Sequence, residues 1–141
     1  MIEMTDEMKE LLGSALADRM ACLVGTATKD GRPQISPKGS VMVFDKENLA
    51  YWERTLRTAL DNVAENPQVV IYYNNSETRV RWRFYGTATV HESGPIREEV
   101  MSRTVQAELD RDPDRKGVAV VVKVDLINDL GGNVIQQRDG G

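Results

Sequence analysis

Apolar residues recur at helical spacing near the start of the chain and then change to the patterns of strands. Met8, Leu11, Leu12, Ala15, Leu16 and Met20 form one helical stripe, which runs out near Arg19 or Met20. Thr5 is placed to cap that helix, with Asp6 and Glu7 at its positive end. From Ala21, ACLVGTAT reads as a strand, and Asp30-Gly31 in KDGR is a strong hairpin signal. The partner strand is PQISPKGSVMVF, whose internal Pro37 and Gly39 predict a bulge or a close approach to the backbone. A turn at DKEN leads to a third strand, LAYWE.

In RTLRTALDNVAENP, Leu56, Leu60, Val63 and Ala64 share a helix face, and Asn66-Pro67 stops the helix. QVVIYYNN and RVRWRFYGTATV follow as strands joined by NSET. Ser93 or Gly94, with Pro95 behind it, opens a helix expected to run to about Asp110. VAVVVKVDLI, almost continuously apolar and β-branched, predicts a central strand buried on both sides. Residues 131–141 read as a tail with a short ordered stretch at Asn133–Gln136.

This order predicts a mainly β (α+β) fold, a six-stranded antiparallel split β-barrel with flanking helices, as a single domain over residues 1–141. No βαβ alternation opens on a glycine-rich turn, which argues against a Rossmann domain.

Composition narrows the partners. A net charge of −4 and a pI near 5.1 argue against a nucleic-acid binder, for which a pI above ~9 is usual. No apolar run reaches the ~20 residues of a membrane helix. The acidic, amphipathic start does not resemble a signal peptide, so the expected setting is cytoplasmic with no membrane partner. Cys22, the sole cysteine, lies in an apolar run and is expected to be a buried, inert thiol.

Candidate chemistry falls in three places. Arg54, Thr55, Arg57 and Thr58 lie where a strand gives way to a helix, and free amides and a partial positive charge at a helix start favour an anion. The arginines suit phosphate oxygens; alternatively both are solvated and Thr55 only caps the helix. Arg79, Arg81 and Arg83 alternate with Val80, Trp82 and Phe84, so that three guanidiniums share one strand face. They either line an anionic ligand or pair with nearby carboxylates. In Ser36, Pro37, Lys38, Gly39 and Ser40, small residues admit a flat ring and Lys38 suits an anion; the alternative is an irregular edge strand with a solvated lysine. His91 is the only histidine, and CxxC, HExxH, P-loop and GxSxG motifs are absent from the sequence. With no evident acid, base or nucleophile, catalysis would rest on a cofactor.

Taken in order, the DG hairpin, NLAYWERTLRTALDNVAENPQVVIYY with its Arg/Thr-rich helix start and NP stop, and the FYGTA strand resemble the pyridoxamine 5'-phosphate oxidase-like split-barrel superfamily over about residues 5–130. The resemblance implies a homodimer with two FMN molecules at the subunit interface. It implies phosphate contacts from Arg57 and Thr58, with Ala59 where a lysine is common and Arg54 as a replacement cation. It implies further that Ser36–Ser40 passes the flavin ring and that Arg81, before Gly86, reaches the cofactor. No counterpart of the substrate-binding C-terminal Trp and Arg occurs in GGNVIQQRDGG, so pyridoxamine-phosphate oxidation itself is not expected. The leading expectation is an FMN-dependent oxidoreductase fed by a small-molecule electron donor such as NADH or NADPH. The alternatives are a non-catalytic binder of FMN or a deazaflavin coenzyme, acting as carrier or sensor, and a structural dimer whose arginines only form ion pairs. Dimerisation is also expected from the apolar character of VAVVVKVDLI and of Tyr51, Trp52, Tyr72 and Tyr73.

Overall fold

The computed structural model describes residues 1–139. Helix α1 (Asp6–Ser14) begins as expected, with the Thr5 hydroxyl accepting from Met8 N at 3.1 Å. It ends earlier than its apolar stripe. Arg19 takes a left-handed conformation (φ 61°) and Met20 N returns to Ala15 O at 2.8 Å, a terminating turn that still tucks Ala15 into the core.

β1 (Cys22–Ala27) and β2 (Pro33–Lys38) form the expected hairpin, with Gly31 at φ 92° in its turn. The long second strand does not continue. It breaks at Gly39-Ser40, and β3 (Met42–Val43) pairs instead with β4 (Asn48–Glu53). Ser40 holds the corner: its hydroxyl accepts from Trp52 N at 2.9 Å and donates to Trp52 O at 3.1 Å. After α2 (Thr58–Glu65) come β5 (Gln68–Asn75), β6 (Val80–His91), α3 (Pro95–Arg103), α4 (Gln106–Leu109), β7 (Val118–Asn128) and β8 (Val134–Gln137).

All strand pairs are antiparallel, in the order β2-β1-β5-β6-β7-β4-β3, with β8 on β7. The two ends of this path, β2 and β3, are consecutive in the chain. The sheet therefore curls until its ends meet at the Gly39–Val41 corner, and the result is a split half-barrel. Among the described residues, eight strands replace the six expected: one arises from the broken second strand and one from the short ordered stretch expected at Asn133–Gln136 of the tail. Residues 140 and 141 of that tail lie outside the described residues.

Inside the curl sit Val24, Leu49, Tyr51, Ile71, Tyr73, Phe84, Val122 and Val124, with Met8 and Leu12 of α1 packed on them. Trp82 stacks on Tyr73, with centroids 5.5 Å apart, and meets Phe84 edge-on. Gly86 lies at a bulge where a Cβ would strike the Lys123 carbonyl, which explains the glycine of FYGTA. β7 is buried on both faces only over Val118–Val120, where α3 and α4 cover it with Val100 and Leu109. Beyond that it alternates, and Lys123 reaches solvent. The helix expected to reach Asp110 is two helices, because Thr104 turns extended and its hydroxyl bonds back to Val100 O at 2.7 Å. Among the described residues, no helix is long and apolar enough to cross a membrane.

Candidate functional site

Three segments distant in sequence converge where the sheet closes on itself. The end of β2 and the Gly39-Ser40 corner form one wall, the end of β4 and the start of α2 a second, and α4 a third. Between them lies a cleft of about 360 Å³ lined by Ser36, Pro37, Lys38, Gly39, Ser40, Arg54, Arg57 and Thr58, among others. These are eight of the nine residues expected at the site.

The positions of the cations follow from local structure. Arg57 is the N-cap residue of α2; its side chain is exposed, makes no capping bond, and pairs with no carboxylate among the described residues. It therefore stands beside the first free amides of α2, with Thr58 next to it, as an anion site requires. Thr55 does not cap the helix. Its amide and hydroxyl turn back to Glu53 Oε2, at 3.3 and 2.9 Å. Leu56 lies before the helix and is 52% exposed; the buried face of α2 is Ala59, Asn62 and Val63, with Asn62 Nδ2 donating to Thr26 Oγ1 at 3.1 Å.

Two carboxylates that sequence reasoning missed occupy the same cleft. Glu53 accepts from Lys38 Nζ at 2.8 Å, and its side chain is only 2% exposed. The signal was present: Glu53 ends the apolar strand LAYWE, whose other residues from Leu49 onward are all buried. Next to it, the Tyr51 phenol is held well above its ordinary pKa, by burial first and then by the negative charge of Glu53. Glu108 of α4 accepts from Arg54 Nε at 3.0 Å. Nothing in its helical neighbourhood marked it.

Trp52, a further wall residue, is fixed from behind. Its indole N–H donates to Asp112 Oδ2 at 2.9 Å, and the Arg97 guanidinium lies 4.9 Å from the centre of its ring. Asp112 also accepts from the amides of Lys116 and Gly117, so the polar loop before β7 is organised around this carboxylate.

The strand arginines are not brought to the cleft. Arg79 sits in the turn before β6 with φ 60°, and Arg81 donates to Asn74 Oδ1 at 3.1 Å on an exposed part of the sheet. Arg83 bonds Asn128 Oδ1 and the carbonyls of Asp129 and Leu130. The expected alternation holds for Arg81 and Arg83 but not for Arg79, which lies before the strand, and it directs Arg81 to the outer face of the curl, away from Lys38 and Arg57. On that face a second cavity, of about 340 Å³, is lined by Leu23, Ile35, Val70, Tyr72, Tyr85 and Leu130, together with Arg83.

The model of the family described as pyridoxamine 5'-phosphate oxidase matches residues 4–129. An uncharacterized protein of Methanocaldococcus jannaschii is 27% identical over 131 residues, covering 92% of this chain and 82% of its own. The crystal structure of HupZ from Group A Streptococcus superposes with a TM-score of 0.70 at 26% identity, over 93% of this chain and 97% of that one. An FMN-binding protein of Syntrophomonas wolfei shares the fold, with a TM-score of 0.68 at 14% identity over 88% and 86% of the two chains. The family match spans strands β1 to β7 and every segment that walls the cleft, and on that ground the chain belongs to the pyridoxamine 5'-phosphate oxidase family.

Proposed function

We propose that this protein is an FMN-binding flavoprotein that serves as an oxidoreductase and does not oxidise pyridoxamine phosphate. The observation that carries the reading is the convergence of Lys38, Arg54, Arg57 and Thr58 on one cleft, with Arg57 uncommitted at the start of α2. The residues present fit the cofactor. Arg57, Thr58 and the first amides of α2 suit a phosphate dianion, and the small backbone of Ser36–Ser40 suits a flat ring. The volume falls within the ~300–1,000 Å³ of small-ligand sites. FMN, when bound, supplies hydride and electron transfer; the chain's own residues bind the phosphate, orient the ring and exclude water. An FMN-binding protein of the same fold supports the cofactor assignment.

The test compares Arg57→Ala with wild type in titrations against FMN and riboflavin. Loss of one charge-assisted contact, ~1.5–3 kcal/mol, should weaken FMN about tenfold to 150-fold and leave riboflavin almost unchanged. Equal losses would place Arg57 away from the phosphate. Bleaching of the yellow holoprotein by NADH or NADPH supports the oxidoreductase over a carrier; a flavin inert to both donors supports the carrier.

The working form in this reading is a homodimer. Of the four aromatic residues expected to need a partner, Tyr51, Trp52 and Tyr73 are buried within one chain, whereas Tyr72 is half-buried and lines the outer cavity. The unmet apolar surface is instead Leu23, Ile35 and Leu130, which are 37%, 69% and 49% exposed on the outer face. Ile35 alternates along β2 with Gln34 and Ser36, which line the cleft, so a second copy seated on that face would lie beside the site. A solution mass of 15.8 kDa, that of one chain, at all working concentrations would refute the dimer.

A further inference from the structure

The cleft carries three cations and two carboxylates, and each carboxylate is already bonded to one cation. Glu53 takes Lys38 at 2.8 Å and Glu108 takes Arg54 at 3.0 Å. The formal charges of these five residues therefore leave a single positive charge, and the cation without a partner is Arg57.

Glu108 does not reach the cleft by chance of a flexible side chain. Leu109 beside it is buried in the small core with Trp52 and Val100, which anchors α4 against the sheet. The Glu108 side chain is 13% exposed. Room for it is made by Gly39, where a Cβ would collide with Glu108 Oε1 and come within 2.9 Å of Leu16 Cδ1. One carboxylate oxygen is thus seated over a residue without a side chain while the other holds Arg54.

We propose that Glu108 is a specificity-determining residue: by neutralising Arg54 it limits the cleft to one phosphate monoester and sets it against ligands carrying two adjacent phosphates. The inference rests on the reading that the cleft takes a phosphate. A first phosphate, with a charge of about −1.5 to −2 at pH 7, meets Arg57, Thr58 and the amides of α2. A second would meet a guanidinium already paired, and a carboxylate that repels it, its side chain only 13% exposed. Glu108→Gln removes the charge and keeps an amide oxygen to accept from Arg54 Nε. The wall keeps its shape while the cleft gains one uncompensated cation.

The experiment measures displacement of FMN by inorganic phosphate and by pyrophosphate, for wild type and E108Q, at low ionic strength. Riboflavin binding serves as the uncharged control. The preference for pyrophosphate over phosphate should rise about tenfold in E108Q, equivalent to ~1.4 kcal/mol. Riboflavin should be unaffected, and the gain should shrink with added salt. The gain should be clearly smaller in an Arg54→Gln background, where only the direct repulsion by Glu108 is left to remove. Glu108→Ala should shift the preference in the same direction, so a folding defect in either variant leaves the other to decide. An unchanged or lowered pyrophosphate preference, or a gain undiminished in Arg54→Gln, overturns the role of Glu108 and leaves the phosphate reading standing. Wild type that binds FMN no better than riboflavin overturns the phosphate reading and this inference with it.

Discussion

Replacing Lys38 with methionine tests how far the cleft is part of the fold. The ammonium is the only cation bonded to Glu53 among the described residues, at 2.8 Å, and the two side chains are 10% and 2% exposed. Methionine keeps the stem and removes the charge. Glu53 then retains Thr55 N at 3.3 Å and Thr55 Oγ1 at 2.9 Å, neither of which is charged. Breaking a buried pair from one side costs about 3–5 kcal/mol, whereas an exposed pair contributes only ~0–1 kcal/mol. The partial exposure of Lys38 places the expected loss near 3 kcal/mol, a large share of the ~5–15 kcal/mol by which domains are stable. Urea unfolding of the ligand-free protein at pH 7 should show a lower midpoint at unchanged slope, with a Tm lower by on the order of 10 °C. The double variant Lys38→Met/Glu53→Gln should regain much of the loss, since no charge is left alone. A loss below ~1 kcal/mol for Lys38→Met would show that Glu53 is hydrated and that the pair is no more than a surface contact. A double variant no more stable than Lys38→Met would refute the same reasoning by a second route.

Two further outcomes follow from single side chains. Burial pushes the Asp112 carboxyl up, but the amides of Lys116 and Gly117, the Trp52 indole and the Arg115 charge together hold it below its ordinary value. Its stabilisation is therefore complete above about pH 4 and lost as pH falls through the lower folded-state value. Asp112→Asn should cost about 1–3 kcal/mol at pH 7. The gap between the variant and wild type should close on the acid side in urea titrations, and a gap independent of pH would refute the assignment. The Cys22 thiol is fully buried and pushed up to about 12 by that burial, so Ellman's reagent at pH 8 should label it only as the protein unfolds. Stoichiometric labelling of the native protein within minutes would contradict this.

The elements legible from residues alone were those with a local cause. Asp30-Gly31 makes its hairpin whatever surrounds it, and β1 and β2 pair from Ala27 with Pro33 to Cys22 with Lys38 as that turn requires. The Asn66-Pro67 stop and the Pro95 start also fall where their backbone chemistry puts them. What local pattern did not show was where the chain changes partners. PQISPKGSVMVF reads as one strand with a bulge or close approach at Pro37 and Gly39. It is two strands because Ser40 bonds both backbone groups of Trp52, twelve residues away. The tail likewise becomes β8 through long-range contacts: Gln136 and Glu3 exchange two hydrogen bonds of 2.8 Å across the length of the chain.

The candidate site divides along the same line. Its cations were legible because each lies beside a backbone feature visible in the sequence: a helix start for Arg57, an irregular strand for Lys38. Their neutralisation was not. Glu53 stands next to Arg54 in sequence yet pairs with Lys38, because β4 ends with Glu53 turned into the cleft and Arg54 turned toward α4. Glu108 reaches Arg54 only because α4 folds over Gly39. Counting arginines and lysines along the chain therefore overstates the charge available to an anion by the two carboxylates that tertiary structure adds. Arg81 is the one expected site residue that does not line the cleft within one chain. Period-two alternation put it on one face of β6, but only the direction in which the sheet curls decides which face the ligand can reach. The cleft's cationic character is thus a local property of β2, β4 and α2, while its net charge, on which selectivity among anions depends, is set by how the sheet closes.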